Sequence, residues 1–291
     1  MSTKTLPATQ ARTVSFGNEL PVHRLGYGAM RLTGAGIWGP PTDRKAALAV
    51  LQRAVELGVN FIDTADSYGP HASEELIAEA LHPYPPGLVI ATKGGWERPG
   101  PDQWTRNGTP DHLRKAVEGS LKRLRLDRID VYQLHVPDPA APFDASVETL
   151  AELRSEGKLR VVGLSNVTEE QVEQARRIVP IVSVQNRYSF AHRESDSLVG
   201  YCQRNGIVFI PWYPLEGGCV AGEILNRIAQ AHGATPMQVA LAWLLQRSSV
   251  MLPIPGTSSI EHLEENVAAA SVQLKDEEFE ELGSVPEQSK H

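Results

Sequence analysis

Apolar residues along this chain recur in two rhythms that alternate. Compact apolar runs occupy 24–30, 60–65, 88–93, 129–135, 160–166, 181–186, 207–212 and 250–255, eight in all. Runs of that length, rich in branched aliphatics, predict strands buried on both faces, as in a parallel sheet. Between them the spacing shifts to the helical period. In 43–58, Ala47, Val50, Leu51, Ala54 and Val55 fall on one stripe, and Gly58 ends it. Thr109-Pro110-Asp111 predicts a second helix start, with a capping threonine, proline at the first helical position and an early carboxylate. Leu113, Ala116, Val117, Leu121 and Leu124 supply its stripe. Thr168-Glu169-Glu170-Gln171 and Thr235-Pro236-Met237-Gln238 match the capping box. Near the start, Val14-Ser15-Phe16-Gly17-Asn18-Glu19-Leu20 predicts a small hairpin turning at Gly-Asn.

Eight strands alternating with helices, without linker or repeat, predict an α/β fold: a (β/α)8 TIM barrel with a short N-terminal β-hairpin. A single domain is expected over 14–291, after a flexible leader over 1–13. Gly26-Tyr27-Gly28 lacks the G-x-G-x-x-G form and no helix follows it closely, so a dinucleotide fold of open-sheet type is disfavoured.

Composition narrows the function classes. With 41% hydrophobic and 22% charged residues, the chain matches an ordinary soluble globular protein. A net charge of −7 argues against nucleic acid or an anionic membrane as partner. No apolar stretch approaches membrane-spanning length and no signal-peptide core precedes the domain. Cys202 and Cys219 are too few for a disulfide framework, which predicts a cytoplasmic setting. No protein partner is implied.

The strand ends carry the chemistry. Leu88-Val89-Ile90-Ala91-Thr92-Lys93 ends on an ammonium and exits through Gly94-Gly95. Asn60-Phe61-Ile62-Asp63-Thr64-Ala65 carries a carboxylate and leads to Tyr68, and Ile129-Asp130-Val131-Tyr132-Gln133-Leu134-His135 ends on an imidazole. Titratable groups at successive strand ends predict a site at one mouth of the barrel. A phenol has a pKa of about 10, and a neighbouring ammonium stabilises its anion. Lys93 can supply that charge to Tyr68, Asp63 can hold Lys93, and His135 can orient a carbonyl oxygen. Such a set protonates an alkoxide as it forms, provided hydride comes from an organic cofactor. Singly, each residue has a plainer role: Asp63 as a turn cap, Tyr68 as a loop aromatic, His135 as a core histidine. No His-x-His or second carboxylate accompanies His135, so no metal site is expected.

Phe61-Ile62-Asp63-Thr64-Ala65-Asp66-Ser67-Tyr68-Gly69, Ala91-Thr92-Lys93, Gln133-Leu134-His135, Gly163-Leu164-Ser165-Asn166 and Gln185-Asn186 together resemble the catalytic and cofactor blocks of the aldo-keto reductases. The resemblance implies NADPH-dependent carbonyl reduction with NADP+ as product, NADH remaining open. It implies Tyr68 as general acid, tuned by Lys93 and Asp63, with His135 orienting a small-molecule carbonyl substrate. For the cofactor it implies Gly28, Ala29 and Met30 after the first strand, and Ser165, Asn166 and Gln185 on the nicotinamide carboxamide. Trp212 would stack on the nicotinamide ring, followed by Tyr213, Pro214, Leu215 and Gly217; a core tryptophan is the alternative. Gly256, Thr257, Ser258, Ser259, His262, Glu265 and Asn266 match the adenosine-phosphate block. This block departs from many members, which place a lysine or arginine here for the 2′-phosphate, whereas this chain offers Gly256, Ser258 and, at the arginine-like position, His262.

Within the family, Arg24-Leu25-Gly26-Tyr27-Gly28-Ala29-Met30, Gly39-Pro40-Pro41 and Tyr68-Gly69-Pro70-His71 look like bacterial pyridoxal reductases, which implies pyridoxal reduction to pyridoxine. Some chains of that group carry arginine where His135 stands. Trp38, Trp96, Trp104 and Tyr188 follow strands and are expected at the substrate mouth, where aromatic walls favour aryl aldehydes. Two other functions stay open: a nicotinamide-binding regulatory subunit with little turnover, and a Schiff-base lyase using Lys93.

Overall fold

The computed structural model describes residues 6–218 and 222–285. Two short strands, β1 (Thr13–Phe16) and β2 (Leu20–His23), pair antiparallel around the expected turn. Seven parallel strands then follow: β3 (Tyr27–Gly28), β4 (Phe61–Asp63), β5 (Val89–Gly94), β8 (Ile129–Leu134), β9 (Leu159–Ser165), β10 (Ile181–Arg187) and β11 (Val208–Trp212). They are hydrogen-bonded in that order, with a helix in every gap: α1 (Arg44–Glu56), α2 (Ala72–Leu81), α3 (Pro110–Leu124), α4 (Phe143–Ser155), α5 (Glu169–Arg176) and α6 (Asp196–Asn205); α7 (Glu223–His232) follows β11.

The eighth run, expected as a strand over 250–255, is extended but forms only one bridge, Phe209 to Met251. Pro253 and Pro255 have no N–H to give, so a ladder cannot run through them. The segment still closes the cylinder. Phe209 N–H donates to Val250 O (2.9 Å) and Leu252 N–H to Phe209 O (2.8 Å), while Gly26 N–H donates to Pro253 O (2.9 Å). The chain thus has the expected (β/α)8 barrel, with a two-residue first strand where 24–30 was expected.

Other expectations also shift. Of the leader, residues 1–5 lie outside the described residues, but Pro7–Ala11 form a 3-10 turn with Ala8 and Ala11 buried. Thr109 makes no side-chain cap; its hydroxyl donates instead to Asn107 (2.7 Å). Thr168 with Gln171 and Thr235 with Gln238 do form capping boxes, at the starts of α5 (Glu169–Arg176) and α8 (Pro236–Arg247). Between β5 and α3 the chain adds an unforeseen hairpin, β6 (Trp96–Gly100) and β7 (Gln103–Arg106).

The barrel interior decides where chemistry can occur. Its lower layer is apolar: Phe61, Val89, Val131, Val161, Val208 and Leu252 meet Phe16, Leu20 and Val22 of the β1–β2 hairpin. Phe16 stacks on Phe61 with centroids 5.1 Å apart. The hairpin therefore plugs the N-terminal end, and the polar strand ends gather at the other. No helix among the described residues is long and apolar enough to cross a membrane.

Candidate active site

Strand alternation sends Asp63, Lys93 and the residues two positions along each neighbouring strand into the barrel axis. Asp63 ends β4, and its Oδ2 accepts from Lys93 Nζ at 2.6 Å. Its Oδ1 accepts from Gln185 Nε2 of β10 at 2.8 Å. Lys93, fully buried, donates also to Thr64 O at 2.8 Å. Its ammonium lies 5.2 Å from the centroid of the Tyr68 ring. His135, just past β8, meets Tyr68 edge-on at 5.8 Å, and its Nδ1 lies 3.5 Å from Ser67 Oγ. The four titratable residues expected together are together.

Their protonation follows from burial and charge. Burial opposes the Lys93 ammonium, but Asp63 and Tyr68 outweigh it and raise its pKa above the ordinary value. For Tyr68, burial pushes the phenol pKa up and Lys93 pulls it down; burial wins. The expected fall toward neutrality does not occur, because the closed site costs the phenolate more than one paired ammonium returns. Tyr68 is therefore a neutral phenol carrying its proton. Burial, and after it the charge of Lys93, hold His135 well below its ordinary value, so its ring is neutral.

A cavity of ≈ 1330 Å³ opens over these groups. At one end are Tyr68, His135, Trp96 and Trp104; its floor includes Asp63, Ser165, Asn166 and Gln185. Trp212, Tyr213, Pro214, Leu215 and Gly217 line one wall, and Gly28, Met30, Gly256, Thr257, Ser258, His262, Glu265 and Asn266 the far end. Three of the expected catalytic and cofactor residues do not line it. Ala29 is fully buried in the apolar core, Ser259 caps α9 (Ile260–Ala268) by accepting from His262 N–H, and Lys93 lies beneath the floor.

Two aromatics expected at the mouth are elsewhere. Tyr188 is fully buried, stacked on Trp243 at 6.3 Å, with its hydroxyl donating to Asp196 at 2.5 Å. Beyond β10 the chain folds back through a bridge between Ser189 and His192, which carries that ring into the helix layer. Trp38 stands behind the wall, 5.8 Å from the Arg98 guanidinium.

Arg98 was not foreseen from the sequence. Its guanidinium donates to four backbone carbonyls: Gln103 (2.8 Å), Ile37 (2.9 Å), Ser67 (3.0 Å) and Gly36 (2.9 Å). It also stacks on Trp104 at 3.7 Å. One side chain thus ties the β6–β7 hairpin and the 33–39 loop to the residue preceding Tyr68. Arg31, Asp102 and Arg106 also line the cavity, and none was foreseen. Arg31 had a local signal: it directly follows the Gly28-Ala29-Met30 run.

The polar floor fits a carboxamide. Gln185 spends its Nε2 on Asp63, leaving Oε1 to accept. Ser165 Oγ accepts from Asn166 Nδ2 (3.1 Å) and keeps its own proton to donate. One acceptor and one donor side by side are what a primary amide needs. At the far end, Cβ atoms built on Gly28 and Gly256 would sit 2.7 Å from Ile254 O and 2.6 Å from Gly28 O. The two backbones therefore pack against each other at a distance only glycine allows, and both residues also line the cavity.

Comparison with known proteins agrees with this architecture. Residues 24–287 match the model of the aldo/keto reductase family. The chain is 50% identical to an uncharacterized oxidoreductase of Schizosaccharomyces pombe, covering 94% of this chain and 90% of the other. It is 46% identical to pyridoxine 4-dehydrogenase of Escherichia coli, covering 94% and 98%. An aldo-keto reductase from Klebsiella pneumoniae, solved with NADPH, superposes with a TM-score of 0.79 at 28% identity, covering 96% and 97%. The chain belongs to the aldo/keto reductase family and is an oxidoreductase.

Proposed function

We propose that this member of the aldo/keto reductase family reduces aldehydes or ketones to alcohols with NADPH, Tyr68 giving the proton. The observation that carries the reading is the buried Lys93–Asp63 pair (2.6 Å) beneath a neutral Tyr68, at one end of a cavity of ≈ 1330 Å³. When bound, the dihydronicotinamide supplies hydride to the carbonyl carbon. Ser165, Asn166 and Gln185 would hold its carboxamide, Trp212 would flank its ring, and the Gly28–Gly256 junction would face the phosphates.

The chain's own residues do the rest. His135, uncharged, donates one N–H to the carbonyl oxygen and sets its direction. Tyr68 transfers its proton to that oxygen as negative charge develops there. Lys93, fixed by Asp63 and Thr64, stabilises the phenolate left behind. A Schiff-base role for Lys93 is disfavoured, because a buried, paired ammonium is a poor nucleophile.

For the substrate we favour aryl aldehydes of the pyridoxal type. Trp96 and Trp104 meet edge-to-face at 5.7 Å beside His135 and offer flat apolar walls. The 46% identity to the E. coli pyridoxine 4-dehydrogenase supports the same choice. A cytoplasmic location accords with the buried free thiol of Cys202. Steady-state assays of NADPH and NADH against a panel of aldehydes, pyridoxal included, test the reading. We expect NADPH-dependent turnover with aryl aldehydes above aliphatic ones of equal size; no turnover of any carbonyl with either dinucleotide would sink it.

A further inference from the structure

The far end of the cavity poses an electrostatic problem. An NADPH 2′-phosphate carries nearly two negative charges, yet 256–262 contains no lysine or arginine, and Glu261, Glu264 and Glu265 add negative charge nearby. Arg53 is committed to Glu264 at 2.7 Å and to Glu56 at 3.0 Å. A cation cannot come from position 256 either, because any side chain there would strike the Gly28 carbonyl.

We infer that Arg31 supplies this charge and is the residue that selects NADPH over NADH. Its Cγ lies 3.6 Å from the point where a Gly256 side chain would begin, so its stem covers the place such a side chain would take. It lines the same cavity as Gly28, Gly256, Ser258 and His262. Its guanidinium has no hydrogen-bond or ion-pair partner among the described residues, and the residue is exposed. The other arginine of the lining does not compete. Arg106 lies over Trp96 (5.8 Å), at the substrate end. A guanidinium suits phosphate because it offers two parallel N–H donors.

The inference rests on the NADPH reading, and the test separates the two. Adenosine 2′,5′-bisphosphate and 5′-AMP are titrated by calorimetry into the wild type, Arg31→Gln and Arg31→Lys. We expect the wild type to prefer the bisphosphate and Arg31→Gln to weaken it by roughly tenfold to a hundredfold. Binding of 5′-AMP and the melting temperature should stay unchanged, and Arg31→Lys should recover part of the loss. Equal weakening of both nucleotides, or none, overturns the assignment to Arg31 while leaving the cofactor reading intact. A wild type that does not distinguish them overturns both, leaving carbonyl reduction itself to the aldehyde assay.

Discussion

The Lys93 ammonium contacts Asp63 at 2.6 Å with both side chains almost wholly out of solvent. Removing water from two charges is costly, and the pair persists because each partner also has a second bond, Lys93 to Thr64 O and Gln185 to Asp63. Asp63→Asn leaves an ammonium without its counter-charge. We expect a loss of about 3–5 kcal/mol in chemical denaturation, together with slowed reduction. Because the folded Lys93 pKa lies above the ordinary 10.5, the pair's contribution is fully present below that value. It fades only as pH rises through the raised one. If the difference in stability between wild type and Asp63→Asn changed with pH across the neutral range, instead of staying constant there, the assignment would fail.

Tyr68→Phe removes the proton and leaves the packing. Reduction should fall by roughly 10²–10⁴-fold, while NADPH still quenches protein fluorescence with near wild-type affinity. Loss of cofactor binding in this variant would count against Tyr68 as proton donor.

The pH profile follows from the direction of two shifts. Burial holds Tyr68 above its ordinary value, so the donor stays protonated across neutral and mildly alkaline pH and reduction should not decline there. Alcohol oxidation needs the phenolate and should climb with pH. His135 lies well below its ordinary value and should give no kinetic limb near 6.5. Such a limb, abolished by His135→Gln, would show that the imidazole titrates in the working range.

His262→Arg places a second guanidinium at the far end of the cavity. NADPH should tighten relative to NADH in paired titrations. Unchanged discrimination would show that position 262 does not face the 2′-phosphate.

Arg98→Lys is not a mild change. One ammonium cannot span the carbonyls of Gly36, Ile37, Ser67 and Gln103. We expect a raised KM for the aldehyde and a lower melting temperature, with cofactor affinity unaffected. Wild-type kinetics in both Arg98→Lys and Arg98→Ala would remove Arg98 from the description of the site.

What the amino-acid pattern disclosed and what it hid divide along one line. Asp63, Lys93 and His135 were legible because strand period and strand ends are local properties, and a charged tip on a doubly buried strand has no packing purpose. Tyr188 misled because its path depends on the reversal through Ser189 and His192, which no periodicity encodes. The eighth strand misled because apolar content outweighed Pro253 and Pro255 in the reading, although proline forbids the ladder. Arg98 stayed hidden because its acceptors are spread over residues 36 to 103 and meet only once the β6–β7 hairpin has formed. The pull of burial on Tyr68 could not be weighed without knowing how completely the site closes.

Gly28 and Gly256 stand 228 positions apart, and their backbones touch with nothing between them. A phosphate site at this junction, as proposed above, would not exist until these two distant segments have met and the ring of strands is shut. A dinucleotide that grips this junction acts as a clasp, and binding that favours the native chain raises its resistance to unfolding. Loaded enzyme should therefore be hardest to unzip at the very place where Gly26 and Tyr27 hold the last segment by one hydrogen bond each, to Pro253 O and Thr257 O.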